Sequence, residues 1–247
     1  MGNKSKSHKM RNIKLVLEYD GTNFYGWELQ PDKRTIRGEL IKAVRELTGE
    51  NVKVYGASRT DKGVHALGQV AHFKTNSKLS IEAIHSALNH FLPEDIYVKD
   101  VEEAPLDFHA RKSAKGKIYI YRIYFGKSPL LRNYVWEFGD TKADIEIVRK
   151  VMPKFLGRHR FDKFAYRDSG ICNIKRFEIM ERKNEWVFMI EGDRFLHRMV
   201  RILVGTLMDL ATGKITEKRI DDMLNLESHK RGTCAPPQGL YLLKVLY

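Results

Sequence analysis

The chain has 247 residues, 43% of them apolar, and carries 44 Lys and Arg against 31 Asp and Glu, a formal net charge of +13. That apolar fraction supports a packed core and excludes a mainly disordered chain, while the length admits one large domain or two ordinary ones. With Cys172 and Cys234 as its only cysteines, the chain excludes a disulfide scaffold, a CxxC redox centre and a four-cysteine zinc site.

Residues 1–11 hold Lys4, Lys6, Lys9 and Arg11 with no acid and read as a flexible basic arm. Ile13, Leu15, Leu17 and Tyr19 then alternate with Lys14, Val16 and Glu18, which predicts a strand. A loop rich in glycine and aromatic residues follows at Asp20–Trp27. Thr35 caps a helix with Ile36, Leu40, Val44 and Leu47 along one face, and Gly49 ends it. Strand-like runs follow at Val52–Tyr55 and Gln69–Phe73. Ser80 caps a second helix with Ile81, Ile84, Leu88 and Phe91 as its stripe, and Leu79 and Ile84 are spaced as a hydrophobic staple. A turn at Pro93–Asp95 leads into a strand at Ile96–Val101, and Ile118–Phe125 is a longer strand of strong β composition.

The second half predicts a helix near Asp144–Leu156, strands at Arg176–Arg182 and Glu185–Glu191, and a helix at Phe195–Leu210. A short helix near Glu217–Leu224 and a last strand at Leu240–Val245 complete it. Strands in pairs between helices predict an α+β fold of mainly antiparallel sheets with helices on one face. The expected division is the arm, a half at 12–105 and a half at 106–247. The most apolar stretch, Phe195–Leu210, contains Arg198, Arg201 and Asp209, which are costly in lipid. No apolar signal core follows the basic N-terminus, so a soluble cytoplasmic protein is expected.

A charge of +13 points to a polyanionic partner, because a positive surface attracts phosphates and releases their counterions. The densest run of unusual residues is GASRTDKGVHALGQVAHF at Gly56–Phe73. Thr60–Gly63 on its own is a plain turn in which Asp61 bonds its own backbone. The following Val64–Gln69 is more apolar than a surface hairpin needs, and Arg59 with Asp61 offers a cation and a carboxylate to one small space.

This stretch resembles the signature of the tRNA pseudouridine synthase A family. So do EYDGTNFYGWELQ at Glu18–Gln30, ALNHFLPEDIYV at Ala87–Val98, FHARKSAKGKIYIYRI at Phe108–Ile123, FLHRMVRILVGTL at Phe195–Leu207 and TCAPPQGLYLLKVLY at Thr233–Tyr247. The blocks keep the family's order over nearly the whole chain. The resemblance implies isomerisation of uridine to pseudouridine in the anticodon stem-loop of tRNA, at positions 38, 39 and 40 of the tRNA. The C1′–N1 bond breaks, the uracil turns and a C1′–C5 bond forms. A carboxylate can serve as nucleophile or base, or stabilise positive charge on the sugar, and the family's nucleophile falls on Asp61.

Burial alone neutralises a carboxylate, and a fixed cation opposes this. The family's basic partner falls in MVRIL, at Arg201, although Arg198 and Arg201, three apart, also fit a helix with two surface charges. Tyr119 corresponds to the family's uracil-stacking tyrosine. Tyr119 and Tyr121 share a strand face, Tyr124 takes the other, and the resemblance alone selects among them. Arg59 suits the space vacated by a flipped base, and Phe108, His109, Ala110 and Arg111 form the family's RNA-contact block. A second such loop falls near Arg167–Cys172, where the match is poor and no residue is carried over.

His72, His85, His90, His159 and His197 lack metal spacing and read as structural or RNA-facing. No metal or organic cofactor is expected: there is no HExxH, and Gly21–Gly26 is followed by Trp27 where a phosphate loop needs Lys. The resemblance further implies two similar halves around a basic cleft and a homodimer that holds one tRNA. Other readings compete: a non-catalytic RNA-binding module, a carboxylate glycosidase or nucleoside hydrolase acting on small substrates, which needs a second acid near Asp61, and a relative acting on another tRNA position or another RNA.

Overall fold

In a computed structural model that describes residues 10–247, the alternation at the start of the chain becomes strand β1 (Arg11–Tyr19). Ile13, Leu15 and Leu17 are wholly buried, whereas Lys14, Val16 and Glu18 are partly exposed. The basic arm, up to residue 9, lies outside the described residues. Arg11 belongs to β1 and its guanidinium meets Glu103 at 2.8 Å.

Local chemistry sets the helix boundaries. In α1 (Ile36–Thr48) the Thr35 hydroxyl accepts the Gly38 N–H, and Gly49 in the left-handed region ends the helix. In α2 (Ile81–Phe91) the Ser80 hydroxyl accepts the Ala83 N–H, but Phe91 is 45% exposed and falls off the expected stripe. The Val52–Tyr55 run pairs only over β2 (Tyr55–Gly56), whereas β3 extends well past its expected ends (His65–Thr75). β4 (Ile96–Ala104) and β5 (Gly116–Phe125) follow as expected, and β6 (Trp136–Gly139) is short and was not.

Helix α3 (Ile145–Val151) stops early, because Pro153 has no N–H to give and the chain tightens into a 3₁₀ turn at Met152–Phe155. After the unexpected β7 (Gly157–Arg160) come β8 (Ile171–Arg182) and β9 (Glu185–Gly192). Helix α4 begins at Met199, four residues later than the apolar periodicity implies, since Arg198 adopts φ 59° and breaks the helical path. Helix α5 (Glu217–Leu224) and β10 (Leu240–Leu246) close the chain.

The fold is α+β, with one ten-stranded sheet where separate sheets were expected. Its order is β4-β1-β3-β10-β5-β9-β8-β7, with β2 on β3 and β6 on β5. All pairings are antiparallel except β10 with β3 and β6 with β5. The late strand β10 thus sits between the strands of the earlier and later parts, and one apolar core runs through both. No helix among the described residues is long and apolar enough to cross a membrane.

Every residue of α4 (Met199–Ala211) is buried except Arg201 and Asp209. Asp209 accepts a hydrogen bond from the Thr233 hydroxyl, so the helix runs against the Thr233–Ala235 segment. Gly205 makes this approach possible: a Cβ there would lie 2.2 Å from the Thr233 carbonyl oxygen. Gly205→Ala gains about 1 kcal/mol of helix propensity, but a methyl pressed on rigid backbone costs more, up to about 3 kcal/mol or beyond. A net loss of about 2 kcal/mol, read as a Tm lower by roughly 4–8 °C, is the expected result. An unchanged or higher Tm would show that the segment yields freely.

Candidate active site

Asp61 lies on the loop joining β2 to β3, and that loop is pinned on two sides. Against the Asp20–Trp27 loop, the Trp27 N–H donates to the Thr60 carbonyl at 3.0 Å and the Gly63 N–H to the Phe24 carbonyl at 3.3 Å. The Tyr19 and Thr60 hydroxyls meet at 2.8 Å. Gly26, at φ 91°, permits this contact, since a Cβ there would fall 2.5 Å from the Thr60 oxygen. On the other side the buried Gln69 amide holds Ser58 twice, accepting its N–H at 3.1 Å and donating to its carbonyl at 2.8 Å. The glycines and aromatics of the Asp20–Trp27 run therefore serve to fix the Asp61 loop.

Arg201, the lone cation of the buried helix α4, reaches that loop. Its Nη1 donates to Asp61 Oδ2 at 2.8 Å, and its Nε donates to the Ala235 carbonyl at 2.8 Å. Two further groups converge on the same carboxylate: His197 Nε2 lies 3.4 Å from Oδ1 and Arg198 Nε 3.8 Å from Oδ2. The left-handed turn at Arg198 brings both forward. Helical continuation through Phe195–Arg198, as the periodicity suggested, would have carried His197 elsewhere.

Asp61 opens onto a cleft of about 800 Å³ whose walls come from both parts of the chain. Tyr119 lines it, 7% exposed, with its hydroxyl 2.6 Å from Ser58 Oγ and the Phe195 ring edge-on at 5.2 Å. Burial pushes the Tyr119 hydroxyl up to about 12, with the Asp61 charge adding to it against the Ser58 bond, so it stays protonated at neutral pH. Tyr121, on the same strand face, is wholly buried and donates to the Pro236 carbonyl at 2.7 Å; it is a core residue.

Arg59 lies at the rim of the cleft, 66% exposed at its side chain, with Nε 3.1 Å from Glu28. Arg37 holds the same carboxylate. A second cavity of about 520 Å³ also touches Asp61 and is lined by Arg132, Arg198 and Arg201 among others.

Residues 15–111 and 151–247 match the sequence profile of the family described as tRNA pseudouridine synthase. The chain is 45% identical to the tRNA pseudouridine synthase A of Acetivibrio thermocellus, over 96% of this chain and 100% of that one. The proteins of the same name from Caldicellulosiruptor bescii and Clostridium acetobutylicum are 44% and 40% identical, each at the same coverage. The chain belongs to the tRNA pseudouridine synthase A family. Its reaction class is that of an isomerase.

The Phe108–Arg111 block divides in the structure. Arg111 is exposed and lines the cleft. Phe108 packs against Tyr247 and His72, and His109 against Tyr55 and His72. Ala110 is fully buried; its N–H donates to His72 Nδ1 and its carbonyl accepts the Tyr247 hydroxyl. Ala110 is thus taken up by packing and backbone hydrogen bonds, whereas Arg111 faces the cleft. Burial, aided by His109 and Lys74, pushes His72 down to about 4, which keeps it neutral as the acceptor that Ala110 requires.

Sequence reasoning passed over His197, read as structural or RNA-facing, and over Arg167 and Asp168, which line the cleft. Asp168 accepts the His197 N–H at 3.1 Å, and Arg198 stacks over Tyr166 at 4.3 Å. Residues 166–168 hold the entry to α4, a task with no motif of its own. No group of three or more metal-ligating side chains occurs among the described residues.

Arg201→Ala strands the Asp61 carboxylate and the Ala235 carbonyl together. A fully dry pair broken in this way costs roughly 3–5 kcal/mol. Asp61 is 21% exposed at its side chain and keeps His197 and Arg198, so a loss of roughly 2 kcal/mol is expected here. Thermal unfolding and turnover measured on one preparation check this; an unchanged Tm with lost turnover would assign Arg201 to chemistry alone.

Proposed function

We propose that this chain converts uridine to pseudouridine in the anticodon stem-loop of tRNA, at positions 38, 39 and 40, with Asp61 as nucleophile and the target base flipped into the cleft. The observation that carries the reading is the disposition of carboxylates around the cleft. Glu28 is taken by Arg37 and Arg59, and Asp168 by the His197 and Ser169 backbone N–H groups. Asp61 alone combines a charged set of partners with a face on both cavities. One reactive carboxylate suits an internal rearrangement, whereas a hydrolase needs a second acid to activate water.

The rearrangement conserves atoms. Asp61 attacks C1′ as the bond to N1 breaks, leaving the uracil held against Tyr119 and Phe195. The ring turns, C5 bonds to C1′ as the carboxylate departs, C5 gives up its proton and N1 gains one. Arg201, fixed by Ala235, keeps the carboxylate aimed while charge moves on and off it. Arg111 and the cationic surface hold phosphates, so affinity and chemistry reside in different groups. Arg59 waits on Glu28 and enters the stack when the base leaves it. Cytoplasmic residence and a homodimer belong to this reading through the family resemblance.

Asp61→Asn is nearly isosteric and leaves the phosphate contacts in place. It is expected to bind tRNA as tightly as the parent and to form no pseudouridine, as measured by filter binding and by nucleoside analysis of the treated tRNA. Appreciable product from the variant would remove Asp61 from the chemistry. Arg59→Ala is expected to leave the Tm unchanged and to slow turnover on structured tRNA. A substrate with an unpaired target uridine costs less to unstack and should restore part of that rate; equal slowing on both substrates would refute the base-displacing role.

A further inference from the structure

Two residues before Tyr119 on β5, and on the same face of the strand, stands a lysine that the mechanism above leaves unused. Lys117 lines the cleft and is half-buried. Its strand neighbours are Gly192 on β9 and Val245 on β10, neither of which offers a partner. Among the described residues no carboxylate pairs with it. The charged groups that act on it are two guanidiniums, Arg111 before β5 and Arg194 after β9. Neither of these has an ion-pair partner among the described residues.

A half-buried amine near two unpaired cations is an arrangement that folding alone does not favour. Burial, then Arg111 and Arg194, push the Lys117 ammonium down to about 8. An anion placed among the three groups would neutralise the repulsion from Arg111 and Arg194 and set an attractive charge against the effect of burial. Arg111 and Lys117 face the same cleft as Asp61, and Tyr119, the base-stacking ring, stands beside Lys117 on the strand.

We infer that Lys117, Arg111 and Arg194 form a subsite for a backbone phosphate of the RNA next to the reacting uridine. The inference rests on the function proposed above and adds the place where the nucleotide's own phosphate is gripped. A lysine is suited to it as a compact charge on a flexible stem that follows the phosphate as the base turns. Because the bound phosphate favours the ammonium, binding takes up a proton wherever the free amine is partly neutral. The sign follows: affinity is full below about pH 8 and falls as pH rises through that value toward the ordinary lysine range.

The experiment measures the dissociation constant of an unmodified tRNA transcript between pH 7 and pH 9 at fixed ionic strength, together with pseudouridine formation. The parent protein is expected to bind about tenfold more weakly at the upper pH. Lys117→Arg should bind with a flat profile, since a guanidinium stays charged throughout. Lys117→Met should bind about tenfold more weakly at pH 7, with a flat profile and a salt slope reduced by about one. Thermal melts show that each variant is folded, and a folded Lys117→Arg with a flat profile suffices if Lys117→Met does not fold. Wild-type affinity and pH dependence in either folded variant would overturn the subsite. A parent protein that binds tRNA but forms no pseudouridine would instead overturn the proposed function, and this inference with it.

Discussion

One contact sets the terms for the rest of the molecule: the 2.8 Å pair between Asp61 and Arg201, residues 140 apart in sequence. A carboxylate and a guanidinium can be held that way only if both backbones are immobile. On the Asp61 side, this requires the interlocked loops after β1 and β2, with Gly26 admitting the close approach. On the Arg201 side, it requires an almost wholly buried helix and a carbonyl at Ala235 that fixes one edge of the guanidinium. Because the guanidinium is planar, holding its Nε aims its Nη1. Gly205 keeps the Ala235 segment close enough to do so.

Electrostatic arrangement follows from the same constraint. A chain with 13 surplus positive charges cannot bring cations together without balancing some of them. Glu28 is shared by two arginines and Asp168 is held by backbone N–H groups, so neither is paired with the remaining cations of the cleft wall. Cations left without acids, with Arg111 and Lys117 on the cleft and Arg194 beside them, are those a polyanion can neutralise on arrival.

How far the sequence disclosed all this depended on range. The caps at Thr35 and Ser80 and the terminal Gly49 are local devices, and they could be placed from a few neighbouring residues. The meeting of Asp61 with Arg201 is not local, and only resemblance to a family pointed to it. The start of α4 was misjudged because the apolar spacing of Phe195 and Met199 fits a helix, while the turn at Arg198 leaves no trace in periodicity. His197 was missed for that reason. Ala110 marks another limit: the sequence of the Phe108–Arg111 block does not say which member faces the cleft, and this small apolar residue goes to the core. Strands β6 and β7 have four residues each, too few for alternation to declare itself.

The place of β10 bears on how the protein comes into being. Leu240–Leu246 is hydrogen-bonded to β3 on one side and β5 on the other, yet a ribosome makes it after every strand it joins. Until it emerges, β3 and β5 share no neighbour and each presents an edge left open where β10 will lie, the condition in which nascent chains mispair. The two walls of the cleft then lack a common frame. A chain interrupted before residue 240 is therefore not a weaker version of the finished molecule but an unassembled one, and catalytic competence arrives as a single late event of synthesis.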